Sequence, residues 1–172
     1  MITTTQTKDL LAPVSQRQEL KKEANHYPSW QLSDRQICDL ELLLNGGFSP
    51  LDGFLNKADY NSVVANMRLE NGALWPMPIT LDVKDEFAGS IKDEPKITLR
   101  DKEGFALAVL TVGDIWNPDL DHEAQSVYGT TDTTHPAVNY LKNIGHKTYV
   151  GWSICGRCGS YFRFIGYCFR RS

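Results

Sequence analysis

The chain reads as α+β rather than alternating α/β. Helical periodicities come first, strand periodicities gather in the middle, and helix starts return before the end, so no strand–helix–strand alternation is set up for a parallel sheet. The middle also carries its own hairpin: Lys96 to Arg100 and Phe105 to Val112 flank the turn Asp101-Lys102-Glu103-Gly104. These observations predict a small, partly closed antiparallel sheet dressed with helices.

Each element has a local reason. Residues 1–14 are polar, threonine-rich and without period, the composition of a flexible arm. Ser15-Gln16-Arg17-Gln18 has capping-box form and opens a short charged helix to about Ala24. Asn25 to Gln31 contains Pro28 and reads as loop. Ser33 is the strongest helix start, because Gln36 stands three residues on and each side chain can cap the other's backbone N–H. Ile37, Leu40, Leu43 and Leu44 then share a face, and Gly46 or Gly47 closes the helix. Asn56 caps a further helix with an apolar face of Tyr60, Val63, Val64 and Met67. From Trp75 to Val83, Ile79, Leu81 and Val83 alternate with Thr80 and Asp82, the period of a strand. Asn117-Pro118 opens a helix, as does Thr134 or His135 with Pro136, proline being harmless where its missing N–H has no partner to lose. Val138 and Leu141 face inward there, and His146 to Val150 is a closing strand. No internal repeat or low-complexity block interrupts the order.

With 172 residues, 41% apolar and 23% charged, the chain has the size and composition of one soluble domain. No apolar run approaches the roughly 20 residues that cross a bilayer, and the start Met1-Ile2-Thr3-Thr4-Thr5-Gln6 lacks the form of a secretory signal, so the cytoplasm is the expected address. The net charge of -3 is unevenly spread: all acids lie in residues 1–151, while residues 152–172 hold four Arg and no acid. An acidic body argues against a nucleic-acid surface, which needs clustered cations.

Four blocks in order carry a family resemblance. Arg35, Asp39, Leu40 and Glu41 lead into Asn45-Gly46-Gly47-Phe48-Ser49-Pro50-Leu51-Asp52-Gly53-Phe54. Trp75-Pro76-Met77-Pro78-Ile79-Thr80-Leu81-Asp82-Val83 follows, then Leu107 to Val112 with Ile115, then Val127-Tyr128-Gly129-Thr130-Thr131-Asp132-Thr133-Thr134-His135-Pro136-Ala137-Val138-Asn139-Tyr140-Leu141. Over roughly residues 15–151 the chain resembles the N-terminal domain of ATP sulfurylases (sulfate adenylyltransferases); many members have glycine where Ala137 stands. The resemblance implies a PUA-like β-barrel decorated with helices, preceding a catalytic domain of nucleotidyltransferase type. The whole enzyme joins sulfate to the α-phosphorus of MgATP, giving adenosine 5′-phosphosulfate and pyrophosphate. The family's catalytic stretches, Gln-x-Arg-Asn-Pro-x-His-x-x-His and Gly-Arg-Asp, do not occur here, nor does a P-loop. No catalytic residue and no cofactor are therefore carried onto this chain. Its expected partner is the missing catalytic domain, and a domain separated from that partner leaves its packing surface bare.

The motif residues carry structural expectations. Arg35 and Asp39 stand one turn apart and can pair, bracing the loop that holds Ser49, Pro50, Gly53 and Phe54. Ser49 has no neighbouring His, so a turn is its ordinary use. Thr131, in the hydroxyl-rich run Thr130 to Thr134, can line a cleft or serve turns and caps. His135 before Pro136 can meet an anion at a helix start or simply cap it. His122 among Asp119, Asp121 and Glu123 imitates a metal cluster; an acid-rich helix start is the ordinary reading.

After Gly151 the composition breaks, and residues 152–172 gain Cys155, Cys158, Cys168, Arg and aromatics. A reading-frame slip, a zinc site and a redox dithiol compete as explanations. Cys155-x-x-Cys158 is one half-knuckle, Cys168 a third ligand, and His146 or Cys38 a fourth; Arg157 would lower a thiol pKa in Cys-Gly-Arg-Cys. The alternative to a truncated sulfate adenylyltransferase domain is a stand-alone PUA-like module that binds RNA or protein through this Cys-rich, zinc-binding tail.

Overall fold

The structure, a computed structural model, describes Leu10 and residues 12–157. The described residues divide into two compact units: those up to Gly53, 96–111 and 153–157 form one, and residues 54–95 and 112–152 the other.

In the first unit, α1 (Val14–Glu23) starts one residue before the expected capping box, with Pro13 in the cap position and no side-chain cap bond. The Pro13 carbonyl accepts the Gln16 N–H at 2.9 Å, so Ser15 already lies inside the first turn. Helix α2 (Asp34–Leu44) is capped as expected: Gln36 N–H donates to Ser33 Oγ at 3.3 Å and Ser33 N–H to Gln36 Oε1 at 3.0 Å. Its buried face is Gln36, Leu40, Leu43 and Leu44, with Ile37 half-buried, and Gly46 takes a left-handed φ of 80° just past its end. The hairpin of β4 (Lys96–Arg100) and β5 (Ala106–Thr111) forms, with a bulge at Leu99/Arg100. Its turn is held by Asp101 Oδ1, which accepts the Phe105 N–H at 2.7 Å.

A strand inside the predicted loop, β1 (Ser29–Gln31), pairs with β4 in parallel, Trp30 opposite Leu99. The sheet is thus mixed; the long connection between β1 and β4 allows the parallel direction. Ile97, Leu99, Ala108, Leu110, Leu32 and Leu43 form the buried apolar heart of this unit. Val109 and Ala24 make a smaller cluster with Leu20, Tyr27 and Ala106.

The second unit begins with α3 (Lys57–Asn66), capped by Asn56 Oδ1 on the Asp59 N–H at 2.7 Å. Tyr60, Val63 and Val64 are buried, but Met67 is not: it ends the helix with φ 54° and stands exposed. The expected strand Trp75–Val83 shrinks to β3 (Leu81–Val83). Pro76 and Pro78 cannot donate to a ladder, which keeps the first half out of the sheet. Two elements were not foreseen: a six-residue helix α4 (Asp85–Ser90) and a short strand β6 (Asp114–Trp116).

Helix α5 (Leu120–Tyr128) starts at Asp119, not at Asn117-Pro118, because Asp119 Oδ1 accepts the N–H groups of Asp121 and His122 at 3.1 and 3.0 Å. Helix α6 (Pro136–Asn139) has proline in its first turn as expected and runs on into a π-helical turn, Tyr140–Ile144. Val138 and Leu141 are buried against Ala124, Leu120 and Tyr128.

The last strand, β7 (Thr148–Arg157), is twice as long as the predicted His146–Val150 and runs through the composition break. Its first half pairs with β3 (Leu81 opposite Val150) and β6 (Trp116 opposite Tyr149); its second half pairs with β5 (Leu110 opposite Ile154). The ladder requires only extended backbone with free N–H groups, which residues 152–157 supply. Among the described residues the strand path β1-β4-β5-β7-β2, with β2 being Gly53–Phe54, stays open and does not close into a barrel.

Candidate functional site

The motif loop of the first unit is built from successive tight turns. Asn45 Oδ1 accepts the Gly47 N–H at 2.8 Å, the Phe48 N–H donates to Leu42 O at 3.0 Å, and the Ser49 N–H donates to Gly46 O at 3.0 Å. The Ser49–Pro50 peptide is cis. Leu51 and Gly53 are buried, and Ser49 and Pro50 are half-buried. Arg35 and Asp39 pair along α2 at 2.7 Å. Arg35, Asp39, Ser49, Pro50 and Gly53 all lie in the first unit, on α2 and the segment that follows it. Phe54, Thr131, His135 and Pro136 belong to the other unit, where Phe54 is a core residue only 1% exposed.

In the second unit the Thr130–Thr134 run is a hydrogen-bonded loop. Thr130 Oγ1 accepts the Asp132 N–H at 3.1 Å, and Asp132 Oδ1 accepts the Thr134 N–H at 2.9 Å. That bond holds the Asp132 carboxyl below its ordinary value. Lys142 Nζ reaches the Thr131 carbonyl at 3.0 Å and pairs with Asp121. His135 makes no side-chain cap bond; its exposed ring lies 5.5 Å from that of Tyr128.

A buried carboxylate–phenol centre that sequence reading missed lies in the second unit. Glu123, 4% exposed, accepts the Tyr60 hydroxyl at 2.8 Å and the Tyr149 hydroxyl at 3.1 Å on the same oxygen, Oε2. Tyr60, Tyr149 and Trp116 pack ring to ring at 5.6 to 5.8 Å around them. Burial first, then the neighbouring Glu123 charge, pushes both phenols far above their ordinary value. Glu123 stood in a run of acids read as a solvated helix start. The available signal was its place beside Ala124, on the inward face of α5.

Two shallow clefts flank Asp85. One, about 730 Å³, includes Asp85, Lys92, Glu94, Asn117 and Thr148; the other, about 470 Å³, includes Lys84, Asp85, Glu86, His146 and Lys147. Asn117 Nδ2 donates to Thr148 Oγ1 at 2.9 Å, and Thr148 Oγ1 donates to Asp85 Oδ1 at 2.5 Å. The buried Asp82 accepts the His146 N–H at 2.9 Å. Both clefts mix the two signs of charge.

Of the zinc candidates, Cys158 and Cys168 lie outside the described residues. Cys155 is placed by its backbone in β7, and His146 sits at the mouth of the smaller cleft. Cys38 is disulfide-bonded. Among the described residues no three His, Cys, Asp or Glu side chains gather as metal ligands, His122 and its acidic neighbours included.

The family model "PUA-like domain" matches residues 3–155. The sulfate adenylyltransferase of Kluyveromyces lactis is 50% identical over 149 residues, 85% of this chain and 30% of its own length. That of Schizosaccharomyces pombe is 48% identical over 137 residues, 78% of this chain and 28% of its own. That of Aspergillus fumigatus is 49% identical over 151 residues, 86% of this chain and 26% of its own. A solved structure, "Hexameric APS kinase from Thiobacillus denitrificans", superposes with a TM-score of 0.67 at 29% identity, over 93% of this chain and 27% of that one. The chain thus spans less than a third of the length of the relatives it matches. No helix among the described residues is long and apolar enough to cross a membrane. The chain belongs to the PUA-like domain family, and within it is similar to the N-terminal region of fungal sulfate adenylyltransferases.

Proposed function

We propose that this chain supplies the PUA-like N-terminal domain of a sulfate adenylyltransferase and serves sulfate assimilation in the cytoplasm. One observation carries the reading: 50% identity over 149 residues with the Kluyveromyces lactis enzyme. The parent reaction joins sulfate to the α-phosphorus of MgATP and releases pyrophosphate. Sulfate is a weak nucleophile and the leaving group gathers charge, so the reaction needs preorganised cations around a crowded polyanion. This sequence holds no Arg-Asn-Pro, His-x-x-His or Gly-Arg-Asp stretch, and the clefts beside Asp85 carry as much acid as base. MgATP and the catalytic groups are therefore assigned to the nucleotidyltransferase domain of the parent enzyme, which is this chain's partner.

The chain alone is expected to release no pyrophosphate from ATP and sulfate above a blank; release above it would overturn the assignment of chemistry to the partner. The positive test is a chimera in which residues 3–155 replace the matching residues of the Kluyveromyces lactis enzyme. Pyrophosphate release within tenfold of that enzyme is the expected result. A folded but inactive chimera would sink the reading.

A further inference from the structure

We propose that the segment Met67–Met77 is the surface on which this domain docks the polypeptide that, in its longer relatives, lies outside the matched span. The inference rests on the functional reading above and names its contact.

The segment is firmly built. Trp75 N–H donates to Met67 O at 2.9 Å, Leu69 N–H to Ala73 O at 2.9 Å, and Gly72 N–H to Leu69 O at 2.8 Å, with Arg68 bridged to Leu74. Side chains fasten it further: Arg68 Nη1 donates to Gly72 O at 3.0 Å, and Asp59 Oδ1 on α3 accepts the Glu70 N–H at 2.9 Å. Met67, which is not glycine, holds φ 54°. A conformation this constrained displays apolar side chains to water: Met67 is 51% exposed, Leu74 67% and Met77 47%. Only three other large apolar side chains among the described residues, Leu42, Phe105 and Ile144, are comparably open, and they are scattered along the sequence. Met and Leu side chains displayed on a hydrogen-bonded segment give a partner a preorganised, adaptable contact.

The chemistry selects an apolar partner. The segment carries one Arg and one Glu, so no net charge draws a polyanion or a basic peptide. Its size selects a tethered partner over a free second copy. A stable free dimer recruits about 20 residues a side, whereas a covalently linked domain arrives at high effective concentration and is held by less. The relatives provide such a tether, since the matched span is 26 to 30% of their length.

The test places Leu74→Glu with Met77→Glu in the 172-residue chain and in the chimera described above. In the chain the pair should leave the thermal midpoint unchanged and the sedimentation monomeric, because both side chains already face water. In the chimera it should cut pyrophosphate release at least tenfold or split one melting transition into two. A doubly substituted chimera with activity within twofold and a single transition would overturn the docking surface. So would a chain that sediments as a dimer and becomes monomeric on substitution, since the occupant would then be a second copy. An inactive unsubstituted chimera would remove the functional reading, and the docking surface with it.

Discussion

The two units bury polar side chains in different ways. In the first, the buried polar groups Gln36, Thr98 and Asp101 each bond to a main-chain group: Ser33 N–H, Ala24 O at 2.7 Å and Phe105 N–H. In the second, the buried Asp82 likewise accepts a main-chain N–H, that of His146, but Glu123 with Tyr60 and Tyr149, and Thr148 with Asp85 and Asn117, bond side chain to side chain. A main-chain partner is present whatever the sequence and carries no titratable proton in the working range. A side-chain partner must be delivered by tertiary packing, here across 26 to 63 residues of sequence, and it titrates. The second unit should therefore be the more sensitive to steric intrusion and to pH.

The largest expected effect tests the steric half of that contrast. Gly151 on β7 runs so close to the chain after β2 that an added Cβ would meet Leu55 O at 2.1 Å, Leu55 C at 2.8 Å and Asn56 Cα at 2.9 Å. All three are backbone atoms and cannot rotate away. Gly151→Ala should cost about 4 kcal/mol, at the severe end for a single substitution, and should lower the urea midpoint correspondingly. Gly47→Ala in the first unit meets two side-chain ends, Leu42 Cδ2 at 2.9 Å and Asn45 Oδ1 at 3.0 Å, with the nearest backbone atom, Leu42 O, at 3.4 Å, and should cost less than about 1 kcal/mol. Equal losses at the two positions would break the comparison.

The second effect is electrostatic. Tyr60 and Tyr149 ionise in the unfolded chain near pH 10 and hold their protons well above that when folded. Above pH 10 the unfolded chain thus binds fewer protons than the native one, and stability falls as pH rises, by about 1.4 kcal/mol per pH unit for each such tyrosine. Below pH 10 both states are neutral at these groups and the contribution is fully present. Tyr149→Phe should cost about 1 kcal/mol at pH 7 through the lost bond to Glu123. It should also make the alkaline decline between pH 10 and 11.5 shallower by one proton, read from urea midpoints across that range. An alkaline slope identical to that of the parent chain would show that Tyr149 is not a buried neutral phenol.

Legibility in the sequence follows the same division. The capping box at Ser33, the cap at Asn56 and the Asp101–Gly104 turn were readable because each is completed within four residues. The strand start at Trp75 was misread because alternation of apolar side chains says nothing about which N–H groups are available, and two prolines removed them. Met67 continued the apolar period of α3 and yet ended it in the left-handed region, a conformation that only the following segment imposes. The Glu123 centre was invisible for the deeper reason that its partners, Tyr60 and Tyr149, are far away in sequence. The motif residues Arg35, Ser49, Thr131 and His135 stood out by resemblance, while the placement that separates them into two units came only from the fold.

The smallest effect sharpens the comparison from the first unit's side. Ser33→Ala removes the Oγ that accepts the Gln36 N–H at 3.3 Å. The other half of the box remains, with Gln36 Oε1 still accepting the Ser33 N–H at 3.0 Å and the Trp30 indole N–H at 3.3 Å. The expected loss is about 0.5 kcal/mol, since half of the box remains. Neither the hydroxyl nor the amide titrates, so the loss should be the same at pH 7 and pH 10.5, where that of Tyr149→Phe shrinks as the parent chain gives up stability. Two urea titrations per variant decide it. A Ser33→Ala penalty that changed between those pH values would mean that the cap is coupled to a titrating group, and the division between main-chain and side-chain anchoring would no longer separate the two units.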